Sequence, residues 1–455
     1  MTQLPNSIEG RDVLAHLHGY TNARAHLDVG PMIIEEGKGV HVWDNAGNKY
    51  IEAMSGLWST ALGFNEQRLV DAATAQMKKL PYYHTFGHKG HSPAAELAHK
   101  LISMAPGPMS KAFFTNSGSE AIDTAIKLVW YRSNALGQPE KKKILARSRS
   151  YHGVTAAGAC LTRLPANQAS FDQIVPAVEL TCPHYWREKH DNETEELFVD
   201  RLVKELEDTI EAEGADTIAA MFAEPVQGAG GVVVPPANYW EKIQAVLRKH
   251  DILLLADEVI CGFGRTGNMF GCNTYNITPD LITLSKQLTS SYLPGSALLI
   301  NEKVFEPLAD ESNRIGVLGH GFTGGGHPVV CAVANETIRI IEDENLVEHA
   351  REVGKHMQQG LKQHESHPLV GEVRGVGLIA AIELVTDKQA RKALEKPGQL
   401  GILAGKHATA NGFISRNIAD ALAFCPPMII SKSEIDDLVE RVGKALDGTL
   451  QELNA

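Results

Sequence analysis

The sequence predicts an α/β protein in which a large domain holds a mostly parallel sheet between helices, with a smaller α+β domain attached. Three observations predict it. Short apolar runs alternate with helical stretches through the middle of the chain, which is the pattern of parallel strands buried on both faces. A hairpin pattern precedes that stretch, and strand-like alternation with a terminal helix follows it. The 455 residues exceed what one compact core usually fills, so a large and a small domain are expected.

The elements follow in order. The first 30 residues show little periodicity and read as an arm with a short helix. GKGVHVWDNAGNKYIEA reads as two alternating strands around the turn at residues 44–48. From about residue 66, Leu69, Val70, Ala73 and Met77 recur on one helical face. A second helix covers about 93–104 and stops before Pro106-Gly107-Pro108. Strands are expected at 111–115, 143–146, 217–223, 252–256 and 281–284. Helices are expected from about Ser119, from 153–157 and over 239–250. Pro328 fits the first position of a long amphipathic helix. Residues 373–384 alternate like strands, and 433–453 form a last helix. The implied division is an arm and small-domain segment over 1–65, a large domain over 66–327 and a small domain over 328–455.

Composition narrows the function. The formal net charge of −12, with 43% hydrophobic and 22% charged residues, describes an ordinary globular chain whose surface repels nucleic acid. No run of about 18 uncharged apolar residues suggests a membrane span. MTQLPNSIEGRDVLAH lacks the basic and apolar regions of a secretory leader, so none is expected. Cys160, Cys182, Cys261, Cys272, Cys331 and Cys425 form no C-x-x-C pair and read as reduced thiols of a cytoplasmic protein.

Three segments carry chemistry, each just after an expected strand, where ligands of parallel sheets bind. In FFTNSGSEAIDTAIKL (113–128), a strand leads through Asn116-Ser117-Gly118-Ser119 into a helix. Small residues there let a phosphate approach the free N–H groups of the helix start; a plain serine cap with Glu120 fits as well. In LLLADEVICGFGRTG (253–267), Asp257 and Glu258 follow an apolar strand. A carboxylate there could keep a pyridine nitrogen protonated, or simply end the strand. Residues 262–267 also match G-x-G-x-x-G, but no strand directly precedes them and no helix follows, so a dinucleotide fold is set aside. In DLITLSKQLTSSYLPGSALLI (280–300), Lys286 stands directly past a strand. A lysine desolvated there has a lowered pKa and can form an imine; in isolation, an exposed charge is the simpler interpretation. His84, His88 and His91 fall in a glycine-containing loop without a matching acid, so no metal site is expected.

Together the three segments fit a phosphorylated pyridine aldehyde. NSGSEA (116–121), SYHG (150–153), AEPVQGAGG (223–231), LLADEVICGFGRTG (254–267), the Lys286 segment, HGFTGGGHP (320–328) and SRNIADALAFCPPMII (415–430) resemble the class III aminotransferases of the fold-type-I pyridoxal 5′-phosphate (PLP) superfamily. The resemblance runs from about Gly37 to the end and is greatest to the (S)-selective amine–pyruvate ω-transaminases.

That resemblance implies a seven-stranded sheet and PLP bound in the large domain. It implies that Lys286 holds PLP through an imine and then carries the proton, while Asp257 binds the pyridine nitrogen. Tyr151 and Val259 would cover the two ring faces, with His152 beside them. Gly118 and Ser119 would hold the phosphate, joined by Thr323 of a partner subunit, which implies a homodimer or a dimer of dimers. Glu224 would organise the pocket. Arg416 would bind the carboxylate of pyruvate and swing aside for an uncharged amine. Trp58, Phe86, Tyr20 and Ala229 would line two substrate pockets. Gln287, Ser291 and Gly324-Gly325-Gly326 depart from the usual pattern of the class. Related reactions remain open: donors such as β-alanine, taurine or a diamine, an aminomutase, or a decarboxylating transaminase. A catalytically silent relative would lose its cofactor absorption.

Overall fold

The computed structural model describes residues 6–455. The expected hairpin forms because Asp44 ties its own turn: its Oδ1 accepts the N–H groups of Ala46 and Asn48 at 3.0 and 2.8 Å. Strands β1 (Ile34–Lys38), β2 (His41–Asp44) and β3 (Lys49–Glu52) pair antiparallel around it. The segment Phe413–Ile414 adds to β3 in parallel, which joins the two ends of the chain.

The central sheet contains β4 (Met109–Thr115), β5 (Lys143–Arg147), β6 (Ala177–Leu180), β7 (Ile218–Ala223), β8 (Leu253–Asp257), β9 (Leu281–Leu284) and β10 (Ser296–Asn301). Their spatial order is β4-β10-β9-β8-β7-β5-β6. The five strands from β9 to β6 in that order are parallel, and β10 runs antiparallel to both its neighbours. Every residue of β7, β8 and β9 is buried, which explains their unbroken apolar runs. Met221, Leu254 and Ile282 join the core on one face, with the helix Tyr239–Lys249. Phe222, Leu253 and Leu255 join the core on the other face, under the helix Gly118–Ala135. Each such side chain contributes about 1.5–3 kcal/mol by leaving water. The sheet therefore fixes its carboxyl ends rigidly, and that is where the chemistry gathers.

The remaining strands are β11 (Val370–Val376), β12 (Ile379–Leu384), β13 (the segment Phe413–Ile414), β14 (Arg416–Ile418) and β15 (Ala421–Phe424). They form a second antiparallel sheet in the order β11-β12-β15-β14, without β13. The last helix, Lys432–Asn454, starts with a reciprocal cap between Ser431 and Glu434.

Two expectations need correction. No helix opens at 153–157. Gly153 has φ +99°, and an added Cβ there would meet the Ser119 Oγ at 2.6 Å, so the chain turns and only Gly158–Leu161 is helical. The helix starting at Pro328 ends at Asp343, because Asn345 takes φ +52° and starts a second helix, Leu346–Lys362. Strands β6 and β10 carry no signal that the sequence expectations used.

Candidate active site

The strand ends surround a cavity of about 1580 Å³ that also reaches the small sheet and the arm. The carboxyl end of β8 places Asp257 in it, almost fully buried. Three donors hold that carboxylate. His152 Nδ1 lies 2.8 Å from Oδ2, while the Val259 N–H and the Thr283 hydroxyl both donate to Oδ1 at 3.1 Å. A buried acid so arranged has a fixed orientation and stays hydrogen-bonded.

Lys286 follows β9 and opens a short 3-10 helix, Lys286–Thr289, with φ +46°. It faces the cavity and is partly accessible there. Protein nonetheless surrounds its amine closely enough that desolvation lowers its pKa to about 8, against the opposing charges of Asp257 and Glu224. About a tenth of the amine is therefore neutral, and nucleophilic, at pH 7, far more than for an ordinary lysine.

Glu224 follows β7. Its Oε1 accepts the Tyr151 N–H at 3.0 Å and its Oε2 accepts the Gly228 N–H at 2.9 Å, so it fixes two loops that line the cavity. Burial pushes its carboxyl above the usual range. Burial, and after it the Tyr20 hydroxyl, also raises the Tyr151 phenol, which remains neutral. The helix Gly118–Ala135 starts at the cavity wall, capped by the Ser117 hydroxyl. The Ser119 Oγ accepts the Val154 N–H at 3.1 Å and keeps its own proton to donate.

On the opposite side, Arg416 opens β14 with its guanidinium 5.9 Å from the centre of the Tyr20 ring. It forms no ion pair among the described residues. The Tyr20 hydroxyl accepts from Asn167 Nδ2 at 2.7 Å. Ala229 and Trp58 also line the cavity. Trp58 is only 1% exposed, with φ +63°, and its indole N–H has no partner among the described residues.

Phe86 lies elsewhere, and Thr323, expected from a partner subunit, is also outside this cavity. Phe86 does not line the cavity of its own chain. It lies beside a second cavity of about 1210 Å³, against the backbone of Gly321, because its loop runs along the 321–325 segment. Thr323 is in that same segment, and its carbonyl accepts the Tyr82 hydroxyl at 2.9 Å. The glycines that depart from the usual pattern have a packing reason. A Cβ on Gly324 would stand 2.5 Å from Asn116 Oδ1, and one on Gly325 2.7 Å from the Phe114 carbonyl oxygen. The three loop histidines are not gathered. His91 caps the helix Ser92–Met104 through Nδ1, and its Nε2 lies 2.8 Å from the Gly326 carbonyl.

Sequence reasoning missed Asn167 and the part played by Gln287. The Gln287 amide is buried and donates to the carbonyls of Trp58 (2.9 Å) and Ile260 (3.0 Å), clamping the Trp58 loop to the lysine segment. Its departure from the family pattern was the one available signal.

These residues fit a phosphorylated pyridine aldehyde. A poised amine, an oriented carboxylate and an anion-favouring helix start share one cavity. A Cβ on Gly118 would come within 3.2 Å of Val259, so the helix start packs closely on that side chain, and His152 Nε2 is buried without a partner among the described residues.

Comparison with known proteins agrees. The family Aminotransferase class-III matches residues 22–446. The chain is 49% identical over 443 residues to Gamma aminobutyrate transaminase 1, mitochondrial, of Solanum lycopersicum, covering 97% of this chain and 85% of that protein. It is 45% identical over 451 residues to the Vanillin aminotransferase of Capsicum annuum, covering 99% and 97%. The solved structure of the omega transaminase from Pseudomonas jessenii in complex with PMP superposes with a TM-score of 0.97 at 56% identity, covering 98% and 99% of the two chains. The chain belongs to the class III aminotransferases, PLP-dependent enzymes of fold type I.

Proposed function

We propose an ω-transaminase that moves the amino group of a primary amine to pyruvate or a related keto acid, with Lys286 as the residue that anchors the cofactor. The observation that carries this reading is the Arg416 guanidinium. Among the described residues it is a cation without an ionic partner, in a cavity whose other walls include Trp58, Tyr20 and Ala229. It suits the carboxylate of a keto acid, and the aromatic walls suit an apolar amine. PLP supplies an aldehyde that takes up the donor nitrogen and a ring that spreads negative charge.

The chain's residues do the rest. Neutral Lys286 Nζ removes the proton from the carbon that bears the amino group and later returns one. Asp257 would accept the ring N–H, and its three donors keep it from turning away. Tyr151 and Val259 would flank the ring, with His152 and Glu224 fixing the acid and the loops around it. Gly118 and Ser119 would hold the phosphate at the helix start.

The enzyme acts as a homodimer whose second copy brings Thr323 and Phe86 to this cavity. Their place outside it within one chain, and the exposed Leu14, Leu17 and Val29 of the arm, support that assembly. The six free, buried cysteines fit a cytoplasmic enzyme.

A second reading has its own support, since the tomato relative is named a gamma aminobutyrate transaminase. A donor with its own acid group, such as γ-aminobutyrate or β-alanine, would also use Arg416. Measuring kcat/KM for (S)-α-methylbenzylamine, γ-aminobutyrate, β-alanine, taurine and a diamine with pyruvate decides between them. The amine–pyruvate reading expects the aromatic amine to lead. An acidic donor leading by about 1.4 kcal/mol, or tenfold, would replace it with the second reading.

A further inference from the structure

The arm carries a polar cluster that the Lys286 cavity does not use. Its helices, Ile8–Ala15 and Ala23–Val29, have 8 and 7 residues, too few to persist alone in water. Gly10 is the only buried residue of the first, and the second buries none. Apolar packing within the chain therefore does not fix them. One carboxylate joins them instead. Asp12 Oδ2 lies 3.0 Å from His16 Nδ1, while Oδ1 lies 2.7 Å from His18 Nε2 and 3.3 Å from His26 Nε2. The His16 and His18 rings, and the His18 and His26 rings, stand 4.3 Å apart. Donor atoms of Asp12, His16 and His18 lie within 4.8 Å of one another.

We propose that Asp12, His16, His18 and His26 form a site for a divalent transition metal of the zinc type, which clamps the arm and the tyrosine it carries. Three imidazoles and one carboxylate suit zinc, copper or nickel, whereas calcium and magnesium favour oxygen shells. Zinc holds such ligands at about 2.0–2.2 Å in a tetrahedron, which places neighbouring donor atoms about 3.3 Å apart. The separations from Asp12 are already 2.7–3.3 Å, and Asp12, His16 and His18 already form a close group, so the metal takes the ring nitrogens that face the carboxylate, His26 swings in as the fourth ligand, and each neutral imidazole keeps its one proton on its other nitrogen. His18 and His26 flank Tyr20 in the sequence, and Tyr20 forms part of the cavity wall beside Arg416. The clamp thus sets how firmly that wall is held.

A second cluster shows what a filled site looks like. His184, Glu372 and Glu383 also bring donor atoms within 4.8 Å of one another. There Arg374 Nη1 stands 2.7 Å from a carboxylate oxygen of each glutamate, so the cation position is occupied by protein. Among the described residues no lysine or arginine pairs with Asp12.

The test uses the cofactor-loaded enzyme and Zn²⁺ alone, read by equilibrium dialysis with metal analysis and by limited trypsin cleavage after the exposed Arg11 and Arg24. The expected result is one zinc per chain in the wild type. Cleavage should slow by roughly tenfold or more at zinc about 100 times its Kd, because only the metal-free arm opens. The His18→Gln/His26→Gln variant should lose both effects while keeping its cofactor absorption, and Asp12→Asn should weaken both. Zinc uptake and protection that are equal in wild type and variants, or no uptake by the wild type, would overturn the proposal.

Discussion

Two cavities of similar size lie on this chain, and their walls differ in kind. The Lys286 cavity is lined by a lysine whose pKa is lowered to about 8, by Asp257 with three donors and by Arg416. The Phe86 cavity is lined by several glycines, by aromatic side chains and by Lys127, His88, His91 and His320, with no carboxylate to pair with them. The first draws its reactive groups from strand ends locked in a buried sheet, so proton transfer has fixed geometry. The second is a loop surface shaped for close backbone approach. The difference teaches that the titratable groups of the Lys286 cavity come from within one chain, whereas Phe86 and Thr323 lie outside it, which is where the proposed homodimer would use them.

The largest expected effect breaks the first cavity. Lys286→Ala should lower kcat by about 10⁴-fold or more while PLP still binds, since one group both anchors the cofactor and moves the proton. A loss of less than tenfold would remove Lys286 from the chemistry. Arg416→Ala should raise the KM for pyruvate roughly 10- to 100-fold, the equivalent of a charge-assisted hydrogen-bonded pair. It should leave a neutral aldehyde acceptor nearly unaffected, and equal losses for both would sink the carboxylate role.

The pH dependence is gentler. Desolvation lowers the Lys286 pKa to about 8, so the neutral amine is scarce below that value. The rate of PLP uptake by cofactor-free enzyme should rise tenfold per pH unit up to about 8 and then level off. A plateau reached only near pH 10 would mean that the amine is solvated. The smallest signal concerns the loop beside the second cavity. Lys286→Ala and Thr323→Asp chains, each inactive alone, should regain about a quarter of wild-type activity when mixed. Half the dimers are then mixed, and each of these holds one intact site if Thr323 serves its partner. No recovery, with mixed dimers shown to form, would return Thr323 to its own chain.

The sequence made the strand-end motifs legible because Asp257 and Lys286 directly follow unbroken apolar runs, a signal that burial on both faces imposes. The mostly parallel sheet followed from the same runs. Strands β6 and β10 escaped because AVEL is short and half-exposed, and β10 is an antiparallel insertion that alternation with helices does not encode. Asn167 and the Gln287 clamp were invisible for a different reason. Their partners, Tyr20 and Trp58, lie 147 and 229 residues away in the chain. Phe86 was assigned to the cavity by resemblance, and the fold of a single chain places it elsewhere. Local patterns carry a strand and the residue after it; they do not carry which distant loops meet.

The most direct test of amine–pyruvate transfer is a spectrum. (S)-α-Methylbenzylamine is added, without acceptor, to the PLP-loaded enzyme, and pyruvate follows. The account predicts loss of the aldehyde-form absorption with gain of the pyridoxamine form, reversed by pyruvate. A spectrum that the amine leaves unchanged, but that γ-aminobutyrate or β-alanine converts, would contradict it.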